Sequence, residues 1–193
     1  MRFHTLLLVI AVAVEMASAV TLRNFRTPTC KGNYIKCSHA EEWECCVGGP
    51  SSSGVVRSSL ITGLPPTGLG AICTYRTSDN HHRNACGSVK DSASGLSVCV
   101  GYPNGAGSMW FDCSNCRRDG NLLDYRDVSA AVADQSGKSS VEPDRVAFEG
   151  HEFKWDSSVP ADAKQRLTDL YQRDAGYDDI PADLKKYEVP VTD

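Results

Sequence analysis

The chain lacks several things that would place it quickly. Its longest early apolar run, Leu6 to Val14, is nine residues and is followed by Glu15, well short of the roughly 20 needed to cross a bilayer. No Asn-x-Ser/Thr site occurs anywhere, so N-glycosylation is not expected. No nucleophile elbow, zinc-binding helix motif or recognisable carboxylate pair is present, which argues against the common hydrolase chemistries. Neither is there a nucleic-acid reader motif, and the basic half holds no Lys/Arg cluster beyond Arg117-Arg118, so no nucleic-acid partner is expected. Cysteine, finally, is missing from everything after Cys116.

What is present begins with an export signal. Arg2 supplies the basic start, Leu6 to Val14 the apolar segment and Ala17-Ser18-Ala19 the small-residue cleavage site, which predicts removal of residues 1–19 between Ala19 and Val20. No later segment is long and apolar enough for a membrane anchor or a lipid-anchor signal. The mature chain is therefore expected to be secreted, extracellular and soluble.

Export governs how the nine cysteines are read, because an oxidising route favours disulfides over metal ligation. Cys30, Cys37, Cys45, Cys46, Cys73, Cys86, Cys99, Cys113 and Cys116 are all disulfide candidates. The odd count leaves at least one thiol free, capped or bonded to another molecule. Cys45 and Cys46 are predicted to take different partners, since one trans peptide holds neighbouring Cα atoms near 3.8 Å and a disulfide favours about 5.5 Å. Charge divides the chain where cysteine does. Residues 20–118 carry ten Lys/Arg against six Asp/Glu, and residues 119–193 nine against seventeen.

Short apolar stretches at Val55–Ile61, Ala71–Tyr75, Leu96–Tyr102 and Met109–Phe111 read as strands. Turn chemistry separates them at Gly63-Leu64-Pro65-Pro66, Ser78-Asp79-Asn80, Ser92-Ala93-Ser94-Gly95 and Pro103-Asn104-Gly105. An antiparallel meander is the expectation, with Cys73, Cys86, Cys99 and Cys113 recurring about once per strand and turn, so that successive strands are tied at similar heights. Residues 119–144 read as a linker, with low complexity from Ser129 to Ser140. Beyond it Val146, Phe148, Phe153 and Trp155 alternate with polar residues around Glu149-Gly150, the pattern of a hairpin. Residues 161–175 then place Ala163, Leu167, Leu170 and Tyr171 on one helical face, with Gly176 as the stop. A further helical turn is expected after Pro181. The fold class is thus α+β: a small disulfide-rich antiparallel β domain at 20–118, followed by an acidic hairpin–helix extension at 145–193 that must pack on something to be stable.

The catalytic and metal candidates are thin, and no catalytic, metal or cofactor residue is assigned. Asp79 with His81-His82 sits in a polar turn, and His39 with Glu41, Glu42 and Glu44 reads as a solvated charged turn. Cys113-x2-Cys116 suggests a disulfide staple, because no second Cys-x2-Cys completes a zinc site. Trp43, Trp110 and Trp155 are candidates for a sugar-binding platform or for the core. Arg117-Arg118 is a possible dibasic processing site between the last cysteine and the acidic region.

The opening Cys30-x6-Cys37-x7-Cys45-Cys46, the Gly63-Leu64-Pro65 turn and the single cysteines leading to Met109-Trp110-Phe111 resemble the small cysteine-rich secreted proteins of filamentous fungi, a candidate effector class. Hydrophobins carry two Cys-Cys doublets among eight cysteines, and this chain, with one doublet among nine, departs from them. The resemblance implies a non-enzymatic interaction protein acting in virulence outside the producing cell, on an extracellular or host protein. The alternatives are a cell-wall polysaccharide-binding module and a small secreted hydrolase without a readable motif.

Overall fold

Val20, Leu22 and Asn24 alternate with Thr21, Arg23 and Phe25 in the first strand, and all six are buried. Side chains on a strand alternate between its faces, so this strand is covered on both. The computed structural model describes residues 19–48, 55–75, 86–113, 117–118, 121–122 and 140–191. The strands are β1 (Val20–Phe25), β2 (Tyr34–Ala40), β3 (Cys45–Val47), β4 (Val56–Thr62), β5 (Gly68–Tyr75), β6 (Cys86–Ser94), β7 (Ser97–Gly105) and β8 (Gly107–Asp112). Then come β9 (Arg117–Arg118), β10 (Asn121–Leu122), β11 (Ser140–Val141), β12 (Arg145–Phe148), β13 (His151–Lys154), helix α1 (Ala161–Gln172) and β14 (Glu188–Val189). The predicted signal segment lies outside the described residues up to residue 18, and Val20, the expected first residue after cleavage, opens β1.

Two sheets pack face to face. The larger runs β14-β13-β12-β2-β1-β4-β7 and the smaller β11-β3-β8-β5-β6, with β9 and β10 forming a separate ribbon. Between the sheets lie Leu22, Cys37, Val56, Ile61, Val98 and Val100 from one and Cys46 and Ile72 from the other. Asn24 crosses this core, its amide donating to Cys46 O at 2.9 Å and its carbonyl accepting from Ser108 Oγ at 2.7 Å. At Gly70 the sheets approach closely: a Cβ there would sit 2.6 Å from Ile61 Cδ1. The smaller sheet is buried on its other face too, by Leu69, Ala71, Cys73, Val89, Met109 and Phe111, with Trp43 stacked on Phe111 at 4.6 Å.

The expected meander does not form. β1 lies between β2 and β4, and β6 and β7, although consecutive, belong to opposite sheets. Ser92–Ser94 and Pro103–Gly105, expected as turns, instead end β6 and β7. Pro103 is tolerated because β7 is an edge strand, where a missing N–H costs no ladder bond. Nor do the evenly spaced cysteines tie successive strands. The bridges among the described residues are Cys30–Cys99, Cys37–Cys46 and Cys45–Cys86, and Cys113 is also disulfide-bonded. Cys45 and Cys46 do take different partners: they point to opposite faces of β3, so Cys46 joins the two sheets through Cys37 while Cys45 reaches β6. Cys73 is the free thiol among the described residues, and it is buried.

The hairpin at residues 145–154 forms as the alternation predicts, with Glu149 (φ 50) and Gly150 (φ 89) supplying the two left-handed positions of a tight turn. It does not stand apart from the cysteine-rich region. β12 is hydrogen-bonded to β2, with Val146 opposite Ile35 and Ala147 opposite Tyr34. Asp144 is already attached, its N–H donating to Lys36 O and its carboxylate accepting from Ser38 N–H. Helix α1 lays Ala163, Leu167, Leu170 and Tyr171 over Ile35, Val146, Phe148, Phe153 and Trp155, each large side chain contributing about 1.5–3 kcal/mol by burial. The helix ends earlier than expected. Asp174, not Gly176, takes the left-handed position (φ 55), and Gly176 is extended. Ile180 and Leu184 complete the cluster from short 3-10 turns at Tyr177–Asp179 and Lys185–Tyr187.

Candidate functional site

The loop between β1 and β2 is held down by three bonds. Cys30 N–H donates to Ser58 Oγ at 2.9 Å, Ser58 Oγ–H donates to Thr27 O at 2.7 Å, and Cys30 is bridged to Cys99 on β7. This brings Pro28 beside Arg57, Gly101, Tyr102 and Pro103 around an open recess of about 440 Å³, a volume in the range of small-ligand sites. Three chain segments converge at Gly101, where a Cβ would lie in ordinary contact with Arg57 O at 3.5 Å and Pro28 O at 3.8 Å. The outward N–H of Gly101 is taken by Asp91 Oδ2 at 2.9 Å. With that donor occupied and Pro103 offering none, β7 is poorly suited to pairing with an added strand. What the recess presents is side chains: a half-buried phenol ring, two proline rings and the exposed Arg57 guanidinium, suited to stacking against a flat or ring-shaped ligand and to pairing with an anionic or hydroxyl group.

Two further polar constellations occupy the C-terminal region. On the larger sheet's face away from α1, the buried Lys36 Nζ lies 3.1 Å from Glu152 Oε1 and 3.2 Å from Oε2. Tyr34 donates to the same Oε1 at 2.8 Å. Burial, followed by the bond to the Glu152 carboxylate, pushes the Tyr34 phenol well above the usual tyrosine range. At the residue before Glu152 on β13, His151 Nδ1 is 2.8 Å from Glu188 Oε1 and Tyr177 donates to Oε2 at 2.9 Å. The hydrogen bond from His151, then that from Tyr177, hold the Glu188 carboxyl below its ordinary value. His151 also stacks on Tyr177 at 3.7 Å, and Lys185 Nζ sits 4.1 Å from that ring. This arrangement clasps β14 to β13.

The residues singled out from sequence do not assemble into one site. Asp79, His81, His82 and Cys116 lie outside the described residues. His39 is exposed, while the glutamates near it hold backbone N–H groups: Glu44 accepts from Glu41 N–H within the turn, and Glu42 from Asp112 N–H at the end of β8. Among the described residues no group of three or more His, Cys, Asp or Glu is arranged for a metal ion. The tryptophans separate, with Trp155 buried under α1, Trp110 donating to Ala40 O at 2.8 Å, and Trp43 on Phe111. Arg117-Arg118 forms β9, paired with Asn121-Leu122. Pro28, Arg57 and Tyr102 were invisible as a site because they come from separate segments joined only by folding. The spacing of Cys30 and Cys99 carried the one available hint.

Fold and recess together define a disulfide-bonded, mostly β protein built as a two-sheet sandwich with an open, side-chain-lined recess at one edge. The chain belongs to the ARB_05566_N family, described as an N-terminal domain, whose model matches residues 21–144. That match stops at Asp144, one residue before β12, although the sheet continues through the hairpin. No curated protein and no solved structure matches the chain.

Proposed function

We propose that the protein is exported after cleavage between Ala19 and Val20 and acts by binding, as an effector-like interaction protein with a host or competitor target outside the producing cell. The observation that carries this reading is the recess at Pro28, Arg57, Gly101, Tyr102 and Pro103, held by the Cys30–Cys99 bridge and by Ser58. Disulfides suit a protein that works in an oxidising setting. A sandwich stapled near its ligand-facing loop keeps that loop ordered before binding, which reduces the entropy lost on association. In finer terms the fold is α+β, a β scaffold extended by a hairpin and capped by one helix, and the recess is lined by residues of the scaffold.

A second reading, a cell-wall polysaccharide-binding module, draws on the same half-buried Tyr102, whose ring can stack on a pyranose. One experiment separates the two. The oxidised mature protein and its Tyr102→Ala and Arg57→Ala variants are passed over immobilised cell-wall polysaccharides and over host extracellular proteins, with thermal stability measured in parallel. Retention on a protein target that falls at least tenfold in the variants at unchanged stability supports the first reading. Retention on polysaccharide with the same dependence supports the second. Binding unaffected by both substitutions removes the recess from the account.

A further inference from the structure

Lys36 and Glu152 meet in conditions that favour more than an ion pair. Their side chains are 2% and 0% exposed, and the same sheet face carries the buried Phe25, Tyr34 and Ala147 with the partly buried Leu60. Lys36 Nζ is near-equidistant from the two carboxylate oxygens, at 3.1 and 3.2 Å, so the amine and the carboxyl group are held side by side. Opposite charges in so enclosed a place carry a large desolvation cost, and holding two reactants at contact raises their effective concentration by many orders of magnitude. We propose that Lys36 and Glu152 condense to an intramolecular amide that joins β2 to β13 across β12.

The chemistry needs no co-reactant. A proton passes from the Lys36 ammonium to Glu152 Oε2, leaving a neutral amine and a carboxylic acid. The amine lone pair attacks Cδ and forms the C–N bond, placing negative charge on Oε1. Tyr34 donates to that oxygen at 2.8 Å, so a donor stands where the oxyanion develops. A proton from the nitrogen then moves to the Oε2 hydroxyl, the Cδ–Oε2 bond breaks and one water leaves. Two buried charges become one neutral amide. Tyr34 suits the donor role because its burial keeps the phenol protonated.

The position gives the bond a structural purpose. Residues 117–193 carry no cysteine, and the described bridges all fall between Cys30 and Cys99. An amide from residue 36 to residue 152 would fasten the C-terminal hairpin to the cysteine-rich region by a link that reduction does not break.

Intact-mass measurement of the secreted protein, with every cysteine reduced and alkylated, tests this directly. The expected mass is one water below that calculated from the mature sequence, both fresh and after prolonged incubation at neutral pH. Tryptic digestion after denaturation should leave the bond after Lys36 uncut and yield a branched peptide containing Lys36 and Glu152. Lys36→Arg, which keeps the charge and cannot form this amide, should show the full sequence mass. A wild-type protein at full mass after incubation, with Lys36 cleaved normally by trypsin, overturns the proposal and leaves an ordinary buried ion pair. That result needs no variant to fold, and it is independent of any binding at the Tyr102 recess.

Discussion

Val146 on β12 stands opposite Ile35 on β2 in one hydrogen-bonded ladder, and both are fully buried beneath α1 with Phe148 and Leu167. The acidic C-terminal region therefore supplies three strands to the sheet that begins with Val20. This bears on the dibasic pair: a cut after Arg118 would sever the chain without freeing residues 119–193, because β12 would remain paired to β2. Protein nicked between Arg118 and Asp119 is expected to elute from native gel filtration at the volume of the intact chain. Separation into two fragments under native conditions would contradict the shared sheet.

The disulfides differ in how much of the unfolded chain they restrain. Cys30–Cys99 closes a separation of 69 residues and Cys37–Cys46 one of 9. Chain entropy then assigns about 4 kcal/mol to the first and about 3 kcal/mol to the second. Replacing Cys30 and Cys99 by serine should lower stability in chemical denaturation by about that larger amount and loosen the Pro28 side of the recess. For Cys37 and Cys46, both fully buried between the sheets, serine adds the cost of burying two hydroxyls, about 1–3 kcal/mol each where no partner is found. The shorter bridge is thus expected to be at least as damaging to remove, an ordering that denaturation midpoints will show.

Ser59 makes the opposite case. Its hydroxyl is buried on β4 with no hydrogen-bond partner among the described residues, so the group lost its water on folding and gained nothing from them in return. Ser59→Ala should leave stability unchanged or raise it by about 1 kcal/mol, measured by thermal or urea unfolding. A loss of more than that would show that the hydroxyl has a partner.

The parts of the fold legible in sequence are those specified by contacts close in the chain. The alternation of Val146, Phe148, Phe153 and Trp155 around Glu149-Gly150 marked the hairpin, and Ala163, Leu167, Leu170 and Tyr171 marked the helix, because each has its own period. The strands missed are those whose reason for existing is distant. β1 mixes Thr21, Arg23 and Asn24 with apolar residues because its polar side chains find partners across the fold, as Asn24 does with Ser108 and Cys46. β6 reads as turn sequence, Cys-Gly-Ser-Val-Lys-Asp-Ser-Ala-Ser, because it is an edge strand with much of its length partly exposed. Regular cysteine spacing suggested neighbouring strands tied in order, whereas the bridges follow the packing of two sheets. For the same reason neither the Tyr102 recess nor the Lys36–Glu152 pair was legible: their residues are brought together by tertiary structure, and no local pattern records it.

The alkaline limb of stability follows from three buried acids. Tyr171 is enclosed beneath the sheet with its hydroxyl donating to Asn24 O at 3.2 Å, and burial pushes its phenol well above the tyrosine range. Burial likewise raises the Cys73 thiol, and burial together with the Glu152 carboxylate raises Tyr34. Each group keeps its proton in the folded state at a pH where the unfolded chain has released it. The unfolded state is then favoured by rising pH. The stability these groups supply is complete below their ordinary values, 9.0 for the thiol and 10.0 for the phenols, and falls as pH climbs beyond them. Each of the most enclosed groups, Tyr171 and Cys73, adds a slope approaching about 1.4 kcal/mol per pH unit. Urea unfolding from pH 7 to 11 should therefore be nearly level at first and then fall steeply above pH 9 to 10, with tyrosinate absorbance from Tyr34 and Tyr171 appearing together with unfolding. Tyr171→Phe separates the contributions. It should cost about 1 kcal/mol at neutral pH through the lost bond to Asn24 while making the alkaline fall shallower, and an unchanged slope in that variant would show that Tyr171 ionises in the folded protein as readily as in the unfolded chain.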